Sequence, residues 1–152
     1  MPRLVRKVVS GGQTGVDRAA LDVATELGIE CGGWCPAGRG AEDGRIDDRY
    51  PLTETPTSDT SERTAWNVRD SDGTLILARR PLVGGTAETE RLAARLGKPV
   101  LVVDPGDTSR IPAVAEWLAG RTISVLNVAG PRESTVPGVY DQAATFLRAL
   151  LG

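Results

Sequence analysis

The chain has 152 residues, with 18 Lys and Arg against 20 Asp and Glu for a net charge of −2. That length fits one domain, residues 1–152, whose core needs no staples, and the near-neutral balance argues against holding nucleic acid chiefly by charge. Histidine is absent, which removes Ser-His-Asp and Cys-His catalysis together with histidine metal ligands.

Two cysteines, Cys31 and Cys35, make neither a disulfide framework nor a four-ligand zinc site. A reducing cytoplasm is the expected compartment. The basic start of the chain lacks the apolar run of a signal peptide. No stretch approaches the roughly 20 apolar residues of a membrane span.

Leu4 to Val9 is a β-branched run that stops at Ser10-Gly11-Gly12 and predicts a strand. From Thr14 or Gly15, the residues Val16, Ala19, Ala20, Val23, Ala24 and Leu27 recur at helical spacing, and Gly28 suits the C-terminal cap. Ile29 to Gly33 predicts a brief second strand. From Trp34 to about Thr60 the periodicity fails, and Trp34, Tyr50, Pro51 and Leu52 suggest an anchored lid or pocket wall. A short helix over Ser61–Arg69 and a third strand over Gly73–Leu77 follow. Thr86 is the expected N-cap of a helix reaching Leu96. A fourth strand over Pro99–Val103, a helix over Ile111–Ala119, a fifth strand over Thr122–Val128 and a final helix within Pro137–Leu151 complete the pattern.

Strands alternate with helices, and Val100-Leu101-Val102-Val103 is continuously apolar, as a strand covered on both faces should be. The expectation is an α/β fold: a Rossmann-like, doubly wound, mainly parallel sheet of about five strands flanked by helices.

Three glycine-rich segments could carry chemistry. Gly11, Gly12, Gln13, Thr14 and Gly15 lie between a strand and a helix. Such a loop either cradles an oxyanion at the helix N-terminus or is simply a tight turn. Neither a dinucleotide fingerprint nor a Walker loop is present. Gly84, Gly85 and Thr86 repeat the arrangement, so two loops facing one crevice would form a composite anion site. The third segment holds Trp34, Cys35 and Arg39. Trp34 is either a stacking surface or a packing anchor. Arg39 could fork onto a phosphate. Cys35 is either a soft-metal thiolate or a small buried residue. Asp17 sits in the first helical turn with Arg18 beside it, and Thr64, Asn67 and Arg69 belong to the same sheet edge.

Ser10-Gly11-Gly12-Gln13-Thr14-Gly15-Val16-Asp17-Arg18-Ala19 resembles the opening motif of the molybdenum-cofactor carrier family. So do Gly33-Trp34-Cys35-Pro36 with Gly38-Arg39, Ala41-Glu42-Asp43-Gly44, Tyr50-Pro51-Leu52 with Glu54, Arg63-Thr64, Asn67-Val68, Ser71 to Leu75, and Gly84-Gly85-Thr86. That family is similar to a circularly permuted branch of the lysine-decarboxylase-like, or "lonely guy", Rossmann-type superfamily.

The resemblance implies a phosphorylated, nucleotide-derived ligand at the sheet edge. For carriers this is the molybdenum cofactor (molybdopterin), with molybdate alone as a simpler occupant. It also implies a homo-oligomer, dimer or tetramer, and molybdoenzymes as recipients; the charge balance and the lack of an apolar span lead to the expectation of no nucleic acid or membrane partner. The superfamily's hydrolases place a catalytic Glu where this chain has Thr89. That favours binding over turnover, with no catalytic residue and no catalytic metal assigned. The rival reading is a nucleotide or ADP-ribose-type N-glycosidic hydrolase using Asp17, Glu88 or Glu90. A sensor of a nucleotide-derived ligand is the third.

Overall fold

The computed structural model describes residues 4–152. Five long strands form one parallel sheet: β1 (Lys7–Val9), β2 (Glu30–Gly32), β7 (Gly73–Leu77), β8 (Val100–Val103) and β9 (Val125–Ala129). Their spatial order is β2-β1-β9-β7-β8. The last strand in the chain therefore lies between the first and the third of the five, pairing Val8 with Leu126 on one side and Leu75 with Val128 on the other. The sequence pattern gives the alternation but not this insertion.

The five helices are α1 (Val16–Glu26), α2 (Thr60–Arg69), α3 (Gly84–Arg95), α4 (Ile111–Gly120) and α5 (Val139–Leu151), with a short 3-10 turn at Thr108–Arg110. Helices α1 and α4 pack with α5, and α2 packs with α3. This division follows from handedness. The connections β1 to β2 and β8 to β9 step toward the β2 edge, through α1 and α4. The connections β2 to β7 and β7 to β8 step toward the β8 edge, through α2 and α3. Crossovers of one hand place opposite steps on opposite faces.

Between α1 and α5 lies the main core, with Val8, Ala20, Leu75, Leu126, Phe146 and Leu147 fully covered. Small alanines on α1 and α5 let the helices approach closely. This core contains one aromatic ring, Phe146, so aliphatic side chains fill it, as the composition requires.

Residues 33–59 are an ordered buttress of very short strands. β3 (Trp34–Cys35) pairs in parallel with β6 (Thr53–Glu54), and β4 (Gly40–Ala41) forms a hairpin with β5 (Gly44–Arg45). The segment has its own small core of Leu21, Cys35, Ile46 and Tyr50. Its centre is Arg39, which is only 6% exposed. The guanidinium donates to four backbone carbonyls: Ile46 at 3.1 Å, Leu52 at 3.2 Å, and Asp47 and Tyr50 at 2.8 and 3.0 Å. One side chain thus supplies the hydrogen bonds that regular secondary structure would otherwise provide.

Several boundaries differ from the expected ones. Helix α3 starts at Gly84 and not at Thr86, because the Ala87 amide already finds the Val83 carbonyl at 3.3 Å. Strand β9 starts at Val125 and not at Thr122. Thr122 takes a left-handed turn (φ 52°), and the Ile123 amide donates back to Leu118 at 3.0 Å, so these residues belong to the exit of α4. The final helix begins at Val139, after Gly138 turns the chain at φ 90°. No helix among the described residues is long and apolar enough to cross a membrane.

Candidate functional site

All five long strands run parallel, so the loops after β1, β7 and β9 leave the same sheet edge. The chain departs from β1 toward one side and from β7 toward the other. A crevice must open between them, and β9 forms its floor. There the structure has a cavity of about 320 Å³. Its walls are Gly11, Gln13 and Asp17 from the first glycine loop and α1, Thr60, Arg63, Thr64 and Asn67 from α2, and Val83 to Thr86 with Thr89 from α3. Asn127 to Arg132 and Thr135 complete it.

The two glycine segments thus meet across one cavity, but they meet it differently. At the first, the start of α1 is closed by the protein itself. The Val16 amide donates to the Pro131 carbonyl at 3.3 Å, and the Thr14 amide to the Gln13 side chain at 3.0 Å. Glu42 ties this loop to the one after β9, accepting from the hydroxyls of Thr14 and Ser134. Those hydroxyls hold the Glu42 carboxyl below its ordinary range. Gly11 is overlaid by Arg63, whose Nη1 donates to its carbonyl at 3.1 Å.

At the second segment, the start of α3 is open. Its first turn has no side-chain cap. The amides of Gly85 and Thr86 fall among the first helical positions, which lack intrahelical partners. A Cβ added at Gly84 or Gly85 would meet nothing within 4 Å. Space and unpaired donors coincide there, as an oxyanion needs. Thr89, one turn on, donates to the Gly85 carbonyl at 2.8 Å.

Two charged groups face each other across the first loop. Arg63 is mostly buried: its Nε donates to the Thr60 carbonyl at 3.3 Å, and its Nη1 lies 3.8 Å from Asp17 Oδ2. Its Nη2 has no protein acceptor among the described residues and is available to a guest. Asp17 also accepts from the Gln13 amide at 3.3 Å. Burial pushes its carboxyl up to about 6, against the opposing pull of Arg63 and of the nearby amides.

The cavity therefore gathers Gly11, Gln13, Asp17, Thr64, Asn67, Gly84, Gly85, Thr86 and Thr89 from the residues singled out in the sequence. Others lie outside it. Arg39 does not fork onto a guest, because its guanidinium is engaged with carbonyls inside the buttress. Trp34 is a packing anchor: its Nε1 donates to Asp70 at 2.9 Å and its ring stands edge-on to Trp66 at 4.7 Å. Cys35 is fully buried in the small core, where desolvation pushes its thiol up. Arg18 forks onto Asp43 at 3.0 and 3.2 Å. Gly12, Thr14 and Gly15 shape the loop without lining the cavity. Asn67 lines it, but its amide clamps the Trp34 backbone through bonds of 2.8 and 3.0 Å. Arg69 pairs with Asp70.

The segment 33–59 contributes no cavity wall, so the lid expected there is a buttress behind the first loop. In its place the walls come from Arg63, from Asn127 to Arg132 and from Thr135. The usable signal for the latter is Ala129-Gly130-Pro131 at the end of a parallel strand. A Cβ at Gly130 would stand 2.6 Å from the Leu77 carbonyl.

Strand order, crossover hand and a cleft where crossover direction reverses define a Rossmann-like α/β domain. More particularly, the chain belongs to the circularly permutated YpsA SLOG family, whose model matches residues 8–151. Permutation agrees with the last strand pairing directly with the first. The chain is also similar to the crystal structure of the "Putative molybdenum carrier protein" of Syntrophus aciditrophicus SB. The two share 44% identity with a TM-score of 0.96, over 99% of this chain and 97% of that one. No curated protein matches the chain.

Proposed function

We propose that this protein binds and carries an oxyanionic or phosphorylated small molecule in the cavity between the two glycine segments. The observation that carries the reading is the open first turn of α3: unpaired amides at Gly85 and Thr86, with empty space where a Cβ would stand. Arg63 supplies the positive charge and donors from the opposite wall. Each charge-assisted hydrogen bond of this kind contributes roughly 1.5–3 kcal/mol.

The Syntrophus protein's description, together with the motifs, makes the molybdenum cofactor or molybdate the first guest to try. The donor set fits such cargo through its oxygens: amides and a guanidinium suit phosphate or oxo groups. Among the described residues, no three of Cys, Asp and Glu gather as metal ligands. Delivery to a molybdoenzyme, and assembly of copies into a dimer or tetramer, belong to the same proposal.

Calorimetric titration with molybdate, phosphate and the isolated cofactor tests the reading. At least one should bind, and Arg63→Ala should weaken it by tenfold or more, the equivalent of about 1.4 kcal/mol. Saturable binding that ignores Arg63→Ala would remove the cavity from the account.

One observation keeps the hydrolase reading alive: Asp17, a carboxyl lifted to about 6, faces the cavity. The other two candidate acids do not. Glu88 and Glu90 are absent from the walls, and Glu90 pairs with Arg80 at 2.6 Å. Release of free base from AMP or ADP-ribose, lost in Asp17→Asn, would replace carriage with turnover.

A further inference from the structure

The floor of the cavity holds a polar side chain that packing alone does not explain. Strand β9 reads Val125-Leu126-Asn127-Val128-Ala129, and Asn127 is its one polar residue. It is 3% exposed. In register it lies between Val9 on β1 and Thr74 on β7, at the centre of the parallel sheet. An amide buried there destabilises the sheet unless its hydrogen bonds are made.

The protein uses only one end of that amide. The Asn127 Nδ2 donates to the Thr74 hydroxyl at 3.2 Å, and no donor among the described residues reaches its Oδ1. That oxygen is not sealed, since no buried side-chain oxygen or nitrogen among the described residues lacks a partner. It is therefore open toward the cavity that Asn127 lines. Asn67 shows the contrast. It lines the same cavity but commits both ends of its amide to the Trp34 backbone, at 2.8 and 3.0 Å. Thr74 is fully buried and forms no part of the wall, and its bond to Nδ2 points the Oδ1 end of Asn127 at the cavity.

We propose that Asn127, oriented by Thr74, makes the cavity select an oxyanion that carries a proton over one that carries none. This rests on the binding reading above. Arg63 and the first amides of α3 are donors, and they attract any oxyanion alike. An acceptor on the floor discriminates. A guest oxygen that bears hydrogen donates to Oδ1. A bare oxygen sets lone pairs against a lone pair and leaves Oδ1 unpaired once solvent is displaced. A site built to pair with a donor rejects the analogue that lacks it. Near pH 8, hydrogen phosphate and sulfate are dianions of the same shape that differ in this one proton. Molybdate there is a bare dianion, like sulfate.

Calorimetric titration near pH 8 with phosphate, sulfate and molybdate reads the selectivity. The wild type should bind phosphate about tenfold tighter than either bare dianion. Asn127→Leu, which removes the acceptor, should bring phosphate and sulfate to within about twofold of each other. Thr74→Val is the second variant and carries the test if the leucine does not fold. It keeps the branched shape, lines no wall, and frees the amide to turn its NH2 group toward the guest. Sulfate and molybdate should then gain affinity while phosphate loses it, whereas an asparagine with a structural role only would weaken all three alike. Equal affinities in the wild type, or a preference for phosphate that survives Thr74→Val, would overturn the inference and leave the anion cradle standing. Binding of none of the three would also overturn it, and if the molybdenum cofactor fails to bind as well, the cradle falls with it.

Discussion

The two glycine segments look alike in sequence and are opposites in structure. In the first, the glycines make room for the protein. A Cβ at Gly11 would stand 2.2 Å from Arg63 Nη1, at Gly12 2.6 Å from Leu52, and at Gly15 2.4 Å from the Pro131 carbonyl. In the second, a Cβ at Gly84 or Gly85 would stand in open space. Glycine between strand and helix therefore has two meanings. Where a neighbouring side chain or loop occupies the missing Cβ, the residue is a packing requirement. Where nothing does, as at Gly85 on the cavity wall, the space stays open.

The largest expected effect breaks the first segment. Gly15 has φ 79° and ψ −129°, a region essentially closed to other residues, and its Cβ would strike backbone atoms of the loop after β9. Gly15→Val should lower stability by about 4 kcal/mol or prevent folding. Denaturant unfolding that shifts by less than about 1 kcal/mol would show that this glycine is not the packing element described.

Next comes the buttress behind that segment. Arg39→Ala leaves the Ile46 and Leu52 carbonyls without this donor and takes one of two bonds from the Asp47 and Tyr50 carbonyls, and should cost about 3 kcal/mol. Ligand affinity, measured on the fraction that stays folded, should hardly change. A specific loss of affinity for phosphate-bearing ligands, at unchanged stability, would return Arg39 to the binding role its sequence context suggests.

The contrasting variant is Gly85→Leu. Its Cβ meets nothing, and the position favours a helix former over glycine, so stability should stay within about 1 kcal/mol of the wild type. The leucine would occupy the cradle, and binding of the guest should weaken by about a hundredfold, near 3 kcal/mol. A stable Gly85→Leu protein that still binds normally would place the guest elsewhere.

Much of the fold was legible because periodicity reports it directly. Helix α2 and strand β7 fall within a residue of where the apolar pattern and the glycine boundaries put them. Strand order was not legible. Local pattern is blind to whether β9 lies at an edge or in the middle, and that placement decides that Asn127 to Arg132, with Thr135, form the site's floor. The family and the two glycine segments were visible as motifs, but the direction in which each motif side chain points was not. In its glycine-rich loop Arg39 reads as a phosphate contact, and Trp34 as either a stacking surface or a packing anchor. In the structure, the long segment needs them for its own hydrogen bonds and packing. Arg63 carried the opposite problem. An arginine on a short, polar helix looks like ordinary surface until α2 is folded against the first loop.

The smallest expected effect separates the two segments by charge, since the first holds a carboxyl within the cavity and the first turn of α3 carries none. Asp17 titrates near 6 in the folded protein against 3.8 for an unperturbed side chain. The folded state then binds more protons than the unfolded state between those values, so stability is greatest below the lower one and falls as pH rises through the upper one. Asp17→Asn should therefore match the wild type near pH 4 and exceed it by about 1–3 kcal/mol at pH 8. Anion binding follows the same proton. Above the upper value, the carboxylate competes with the guest for Arg63; below it, the neutral acid releases the guanidinium. Sulfate, whose own charge stays fixed, should bind about threefold to tenfold tighter at pH 5 than at pH 8, a modest change because the cavity is open to water. Asp17→Asn should flatten that profile and raise affinity at the alkaline end. A pH dependence that persists in the variant would assign the titration to another group and leave the first segment without a role in tuning the second.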